Sequence, residues 1–276
     1  MILLLVAGSG CALLESTSWN AVGMTEPRQE VLLKPIDSTR PQAIRVEYQI
    51  IERPVEDPLL GQLLWDELVE MGLFDHDVRR ALNEQGFRVG VANNQPPAAL
   101  EKLRGSLAEI IDPSLPENTN RRSSRVLTLP DGDPVDFQTG NVTDEYTTSL
   151  EVNGERKEHT FEKARGVIVV TAASQQPGWA EISFVPEIRH GDFQSRPIVS
   201  NSGWKGLETS QNIHRLVKQR FSMKLIEGDS VIITSMGQAD DRVGDLFFRD
   251  VVDGVPVQRI LVVRLLKVDA ELAAKN

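Results

Sequence analysis

"GVIVVTAASQQPGWAEISFVPEIRHGD", residues 166–192, decides how the chain folds. Two apolar arms flank a polar turn at Gln175–Gly178, the pattern of an antiparallel hairpin. In the second arm Ala180, Ile182 and Phe184 alternate with Glu181 and Ser183, a half-buried strand. Pro186 has no N–H to give to a ladder, which predicts an edge or a bulge there. Gly191 is expected to turn the backbone out of the sheet, so Pro186–Gly191 reads as a turn. Glu187, Arg189, His190 and Asp192 look like a reactive cluster in one-letter code. On a strand, however, Glu187 and Arg189 share one face while His190 points to the other. The stretch reads as a polar strand end.

Moving outward, "VIITS" (231–235) and "QRILVVRLLKV" (258–268) are apolar runs, and the second is apolar on both faces. That predicts a central strand covered on both sides. "SLEVNGERKEH" (149–159) sets Asn153-Gly154 between two strand-like arms, a two-residue hairpin signal. Upstream, "QAIRVEYQIIERP" (42–54) alternates as a strand. The spacing then predicts a helix over 57–72, capped by Asp57 with Pro58 in its first turn, and a second over 75–85. "FRVGVA" (87–92) is β-like, and "PPAALEKLRGSLAEII" (96–111) is helical by its leucine spacing. The fold class is α+β. A strand-helix-helix-strand-helix domain is expected over 43–111, a polar linker over 112–124 and a mainly antiparallel β domain over 125–276.

The amino terminus reads differently. "MILLLVAGSG" is uncharged, runs into small residues and stops at Cys11, the only cysteine in the chain. This resembles the end of a bacterial lipoprotein signal peptide, which makes 1–11 a leader and Cys11 a lipidation site. Residues 12–42 lack periodicity and read as a tether. Two or more acyl chains would hold the protein at a membrane. A net charge of −10 argues against a general affinity for nucleic acid. The densest basic run, "NRRSSR" (120–125), reads as a solvated loop.

Catalytic chemistry finds little support. His76, His159, His190 and His214 fall on different predicted elements, without metal-ligand spacing. No nucleophile elbow and no phosphate-binding glycine loop is present. "GQADDRVGD" (237–245) has three aspartates but not the spacing of a calcium loop. No metal, cofactor or catalytic residue is expected. An alternative reading is a periplasmic carbohydrate- or ligand-binding module, or a hydrolase, using Trp179, Trp204 and nearby acids.

Three stretches carry a family likeness: "GFRVGVANNQPPAALEKL" (86–103), the 166–192 hairpin, and "LIEGDSVIITSMGQADDRVGDLFFRDVVDGVPVQRILVVRLLKV" (225–268). Their order and texture resemble a family of uncharacterised bacterial exported proteins and lipoproteins. The second and third also resemble the C-terminal β-domain of secretins, ring-forming outer-membrane channels of secretion systems. The matching residues are Val185 to Ile188, Gly228 to Val231, Val243 to Phe247 and Ile260 to Leu266. The resemblance implies an envelope location, a homo-oligomer or envelope-protein partner, and a non-catalytic assembly role. The residues expected to matter for structure or interaction are Pro186, Glu187, Gly191, Gly244, Phe247 and Phe248. Phe247 and Phe248 are adjacent, so on a strand one would fill the core and the other would be left for a partner.

Overall fold

The apolar run near the carboxyl terminus becomes β12 (Val255–Asp269), the central strand of a six-stranded antiparallel sheet. The computed structural model describes residues 43–70, 72–105, 121–152, 155–199, 205–237 and 242–269. Flanking β12 are β1 (Ala43–Pro54) and β10 (Ser230–Ser235). Outside them lie β3 (Arg121–Pro130) on β1 and β2 (Phe87–Ala92) on β10, while β11 (Arg249–Val252) forms a hairpin with the start of β12. Both faces of β12 are buried, as its sequence predicts. Ile260 and Val262 pack with Leu64, Trp65, Leu100 and Leu103 on the helical side, whereas Leu261, Val263 and Leu265 join the core shared with a second sheet.

That second sheet grows from the hairpin first read in the sequence. β6 (Glu155–Gln176) and β7 (Trp179–Val199) turn at Pro177–Gly178. β4 (Pro134–Gln138) lines the other edge of β6. β8 (Lys205–Arg215) and β9 (Phe221–Ile226) share the far side of β7. β6 and β7 stay paired as far as Arg165 opposite Arg189. Beyond that point β6 pairs instead with β5 (Thr143–Val152), and β7 with β8. Val152 stands opposite Glu155, and the Asn153–Gly154 connection itself lies outside the described residues.

Four sequence expectations change. The chain does not leave the sheet at Gly191. That residue has φ +75, and the pairing with β8 shifts register between His190 and Gln194, so a bulge absorbs it and the strand runs on to Val199. The helix expected over 57–72 is a 3-10 turn at Pro58–Leu60 followed by the short α1 (Gln62–Trp65). It stops early because Val69 exchanges two backbone hydrogen bonds with Val91, which draws the chain to the edge of β2. α2 (His76–Glu84) forms as expected, and α3 (Ala98–Arg104) closes at Gly105. The two-domain division also gives way. β1 and β2 complete the same sheet as β10 and β12, residues 121–124 of the expected linker are paired in β3, and the described residues belong to one compact unit. A strand's own sequence carries its face pattern but not the address of its partner, here more than 200 residues away.

The last change concerns "VGDLFF". It is the helix α4 (Val243–Phe248), not a strand, and both Phe247 and Phe248 are completely buried. No aromatic ring is left there for a partner.

Candidate functional site

The residues singled out in sequence fall into two neighbourhoods. The first surrounds Glu187, whose side chain is almost wholly buried. Alternation along β7 places Arg189 on its face, and Arg189 Nη2 donates to Glu187 Oε2 at 3.2 Å. From β8, Arg215 Nε donates to Glu187 Oε1 at 2.8 Å. Arg189 also reaches Asp136 of β4 at 2.6 Å. One buried carboxylate thus ties three strands through charge-assisted hydrogen bonds. Pro186 sits where β9 ends and β8 begins. Its carbonyl accepts from Leu216 N at 3.0 Å, so its missing N–H falls at the junction between those partners. Both lone-pair-bearing oxygens of Glu187 are taken by arginines, which suits a structural brace and leaves no free general base.

The second neighbourhood is α4. Phe247 meets Phe87 edge-on, with ring centroids 5.2 Å apart, and Phe248 meets the same ring at 6.3 Å. The helix fits because glycines let backbones approach. A Cβ on Gly166 would strike the Phe247 ring, and one on Gly244 would overlap the carbonyl of Gly86. Gly244 N donates to Gln85 O at 2.8 Å, and Met236 N to Gly86 O at 2.8 Å. α4 therefore wedges between the end of α2 and the strands of both sheets.

His190 lies on the opposite face of β7 from Glu187, and there the fold makes a grouping that the sequence did not announce. Its ring packs edge-on against Phe161 of β6, 4.9 Å between centroids. His214 of β8 lies 5.5 Å from Phe161 and 6.1 Å from His159 of β6. Three of the four histidines therefore gather about one phenylalanine. The i, i+2 spacing of His159 and Phe161 put those two on one face, but no local signal linked them to β7 and β8. Among the described residues no group of His, Cys, Asp and Glu side chains is placed to hold a metal ion.

Trp179 begins β7 opposite Ile226, partly exposed at a hairpin end. Trp204, Cys11 and the pair Asp240–Asp241 lie outside the described residues. A buried ion pair also escaped sequence reading: Arg259 of β12 donates to Glu52 of β1 at 2.7 Å and to Asp250 of β11 at 2.8 Å.

No protein-family model matches the sequence. No curated protein matches it significantly. Among solved structures, the chain is similar to the type IV competence pilus secretin PilQ of V. cholerae, with 10% identity, 84% of this chain and 62% of that chain covered, and a TM-score of 0.26. It is also similar to a chain of the pilotin–secretin complex AspS–GspD of ETEC, with 10% identity, 85% and 51% coverage and a TM-score of 0.26. The type II secretin GspD of enteropathogenic Escherichia coli gives 10% identity, 82% and 69% coverage and a TM-score of 0.25. The chain spans about half to two thirds of the length of these secretin chains. Scores this low do not define a shared fold, so the description of the fold rests on the strand pairing itself.

Proposed function

We propose that the protein is an exported, lipid-anchored component of the cell envelope that acts by assembly, as a secretin-like homo-oligomer, and not by catalysis. The observation that carries this reading is that strands at the ends of both sheets are left open on one side, β3 and β8 among them. Among the described residues β3 pairs only with β1, and β8 only with β7. Each offers a row of backbone donors and acceptors to another chain, and such edges are sites of strand addition. β3 is exposed along most of its length, with Arg121, Arg122 and Arg125 to solvent. Residues 120–125, read in sequence as a solvated loop, are thus mostly part of a solvated strand edge.

Cys11 is the proposed anchor, on the strength of the leader-like residues before it. Pro186, Glu187, Gly191 and Gly244 act in this reading by shaping the sheets that present the edges. Two experiments separate its parts. Full-length protein extracted from membranes in mild detergent is expected to show the mass of several copies by light scattering at tens of micromolar. A monomer at that concentration would overturn the oligomer. Cys11→Ser is expected to move the protein from the membrane to the soluble fraction. Unchanged membrane association in that variant would remove the lipid anchor from the proposal.

A further inference from the structure

β6 changes partner at Arg165, and the β5–β6 hairpin beyond that point lies against the β7–β8 pair. The contact has an apolar centre and a polar rim. Leu150, Phe161 and Ala164 of the hairpin are buried with Ile188 and Leu216. Lys163 pairs with Asp192, Lys218 Nζ with Glu151 at 2.6 Å, and Gln211 Nε2 donates to Lys163 O at 3.4 Å. At the centre stand His159, His190 and His214 around Phe161.

We propose that these three histidines form an acid-sensitive latch: the imidazoles packed about Phe161 keep the β5–β6 hairpin docked on β7–β8, and protonation of His190 and His214 releases it.

What faces the imidazoles decides the direction of the effect. On β5 the residue paired with His159 is Thr148, which carries no charge. On β6, Glu158 and Glu162 lie on the opposite face of the strand and are exposed. On β7, Glu187 and Arg189 also point away from His190, and Asp192 is engaged by Lys163. On β8 Arg215 turns to Glu187, and just beyond it Lys218 holds Glu151. The cavity lined by His214 also receives Asp77, Arg80 and Glu84 from α2 and Arg156 from β6. Arg80 lies within 4 Å of both Asp77 and Glu84, and Arg156 also lies within that distance of Glu84. Among the described residues, Asp192, Glu151, Asp77 and Glu84 thus each already have a cation beside them.

Burial holds the His190 imidazole below its ordinary value. Burial does the same to His214, and the neighbouring His159 and His190 push it further down. Bases with lowered native pKa values bind more protons when freed, so stability of the docked state rises with pH. The latch is closed above about pH 6.5, the ordinary imidazole value, and loses its hold as pH falls from there through the lowered native values. Each pKa unit of difference between docked and free states makes opening about tenfold more favourable once the group is protonated.

Hydrogen exchange of the intact protein, followed by mass spectrometry at pH 7.5 and 5.5 and corrected for intrinsic rates, tests the latch. At pH 5.5 residues 143–164 are expected to lose protection by about tenfold or more, while β1 and β12 keep theirs. The variant His159→Gln/His190→Gln/His214→Gln cannot take the charge and is expected to show the same hairpin protection at both pH values. Should that variant not fold, His214→Gln alone is expected to reduce the acid-induced loss about threefold or more. Imidazole proton resonances of the wild-type protein supply a second reading. His190 and His214 are expected to titrate below the ordinary imidazole value of about 6.5. Titration of His190 and His214 at or above that ordinary value, a loss of protection spread evenly over all strands, or wild-type acid sensitivity in the glutamine variants would each overturn the latch.

Discussion

Phe247→Ala is expected to destabilise the protein by about 3–5 kcal/mol, the cost of removing a fully buried phenylalanine from a core that cannot collapse around the gap. The ring is completely buried, faces Phe87 and lies against the bare backbone of Gly166. Because α4 touches strands of both sheets, the cavity would open at the seam between them. Urea unfolding followed by circular dichroism measures the loss as a lower midpoint. Phe193→Ala is the control. That ring is 59% exposed on β7, and its loss is expected to change stability by no more than about 0.5 kcal/mol. A cost below about 1 kcal/mol for Phe247→Ala would mean that α4 is peripheral, and would return this segment to the partner-binding role suggested by its sequence.

Arg259→Met is expected to have the next largest effect, about 3–5 kcal/mol, although it puts a well-shaped apolar side chain in a core strand. Arg259 and Glu52 are both only 7% exposed at the side chain, and Arg259 also neutralises Asp250. Without it the Glu52 carboxylate is left buried and unpaired, which costs more than the pair itself contributes. The test is a double-mutant cycle. Glu52→Gln combined with Arg259→Met is expected to recover at least about 1 kcal/mol of the single-variant loss. Strict additivity would show that the two side chains do not depend on one another. The pair links the two ends of the chain, β1 with β12, so this variant also tests whether residues 43–105 are integral to the carboxyl-terminal sheet.

What could be read in advance was of one physical kind. Alternation identifies the arms of β6 and β7 because it records which face is buried, and a run apolar on both faces identifies β12 because a central strand has no solvent side. Asp57 and Pro58 mark a helical start for the same local reason, since the Asp57 side chain accepts Leu59 N at 2.8 Å. The misreadings share a cause as well. "VGDLFF" is too short to display a helical period, and all its residues except Asp245 are buried, so strand and helix look alike in it. "RHGD" looked like an exit because a glycine followed charged residues, whereas β8 supplies a partner that keeps β7 in the sheet through a bulge. The helix over 57–72 had good local signals and lost to a non-local one, the backbone pairing of Val69 with Val91.

The candidate site divides along the same line. Spacing alone put Glu187 with Arg189 and set His190 apart, because side-chain direction along a strand depends only on sequence position. That Glu187 is buried beneath Arg215, and that His190 meets His159 and His214 over Phe161, required strands brought together from separate parts of the chain. The sequence by itself determined which faces of β6, β7 and β12 seek the interior and that the chain turns at Pro177–Gly178, since both follow from hydrophobicity and local backbone preference. The tertiary structure alone decided which strands pair, that β1 closes on β12 to make one unit, and that three histidines share one neighbourhood. Strand pairing is a contest among all compatible edges in the chain, won by the arrangement that buries the most apolar surface with every backbone group paired, and no segment holds that outcome within itself.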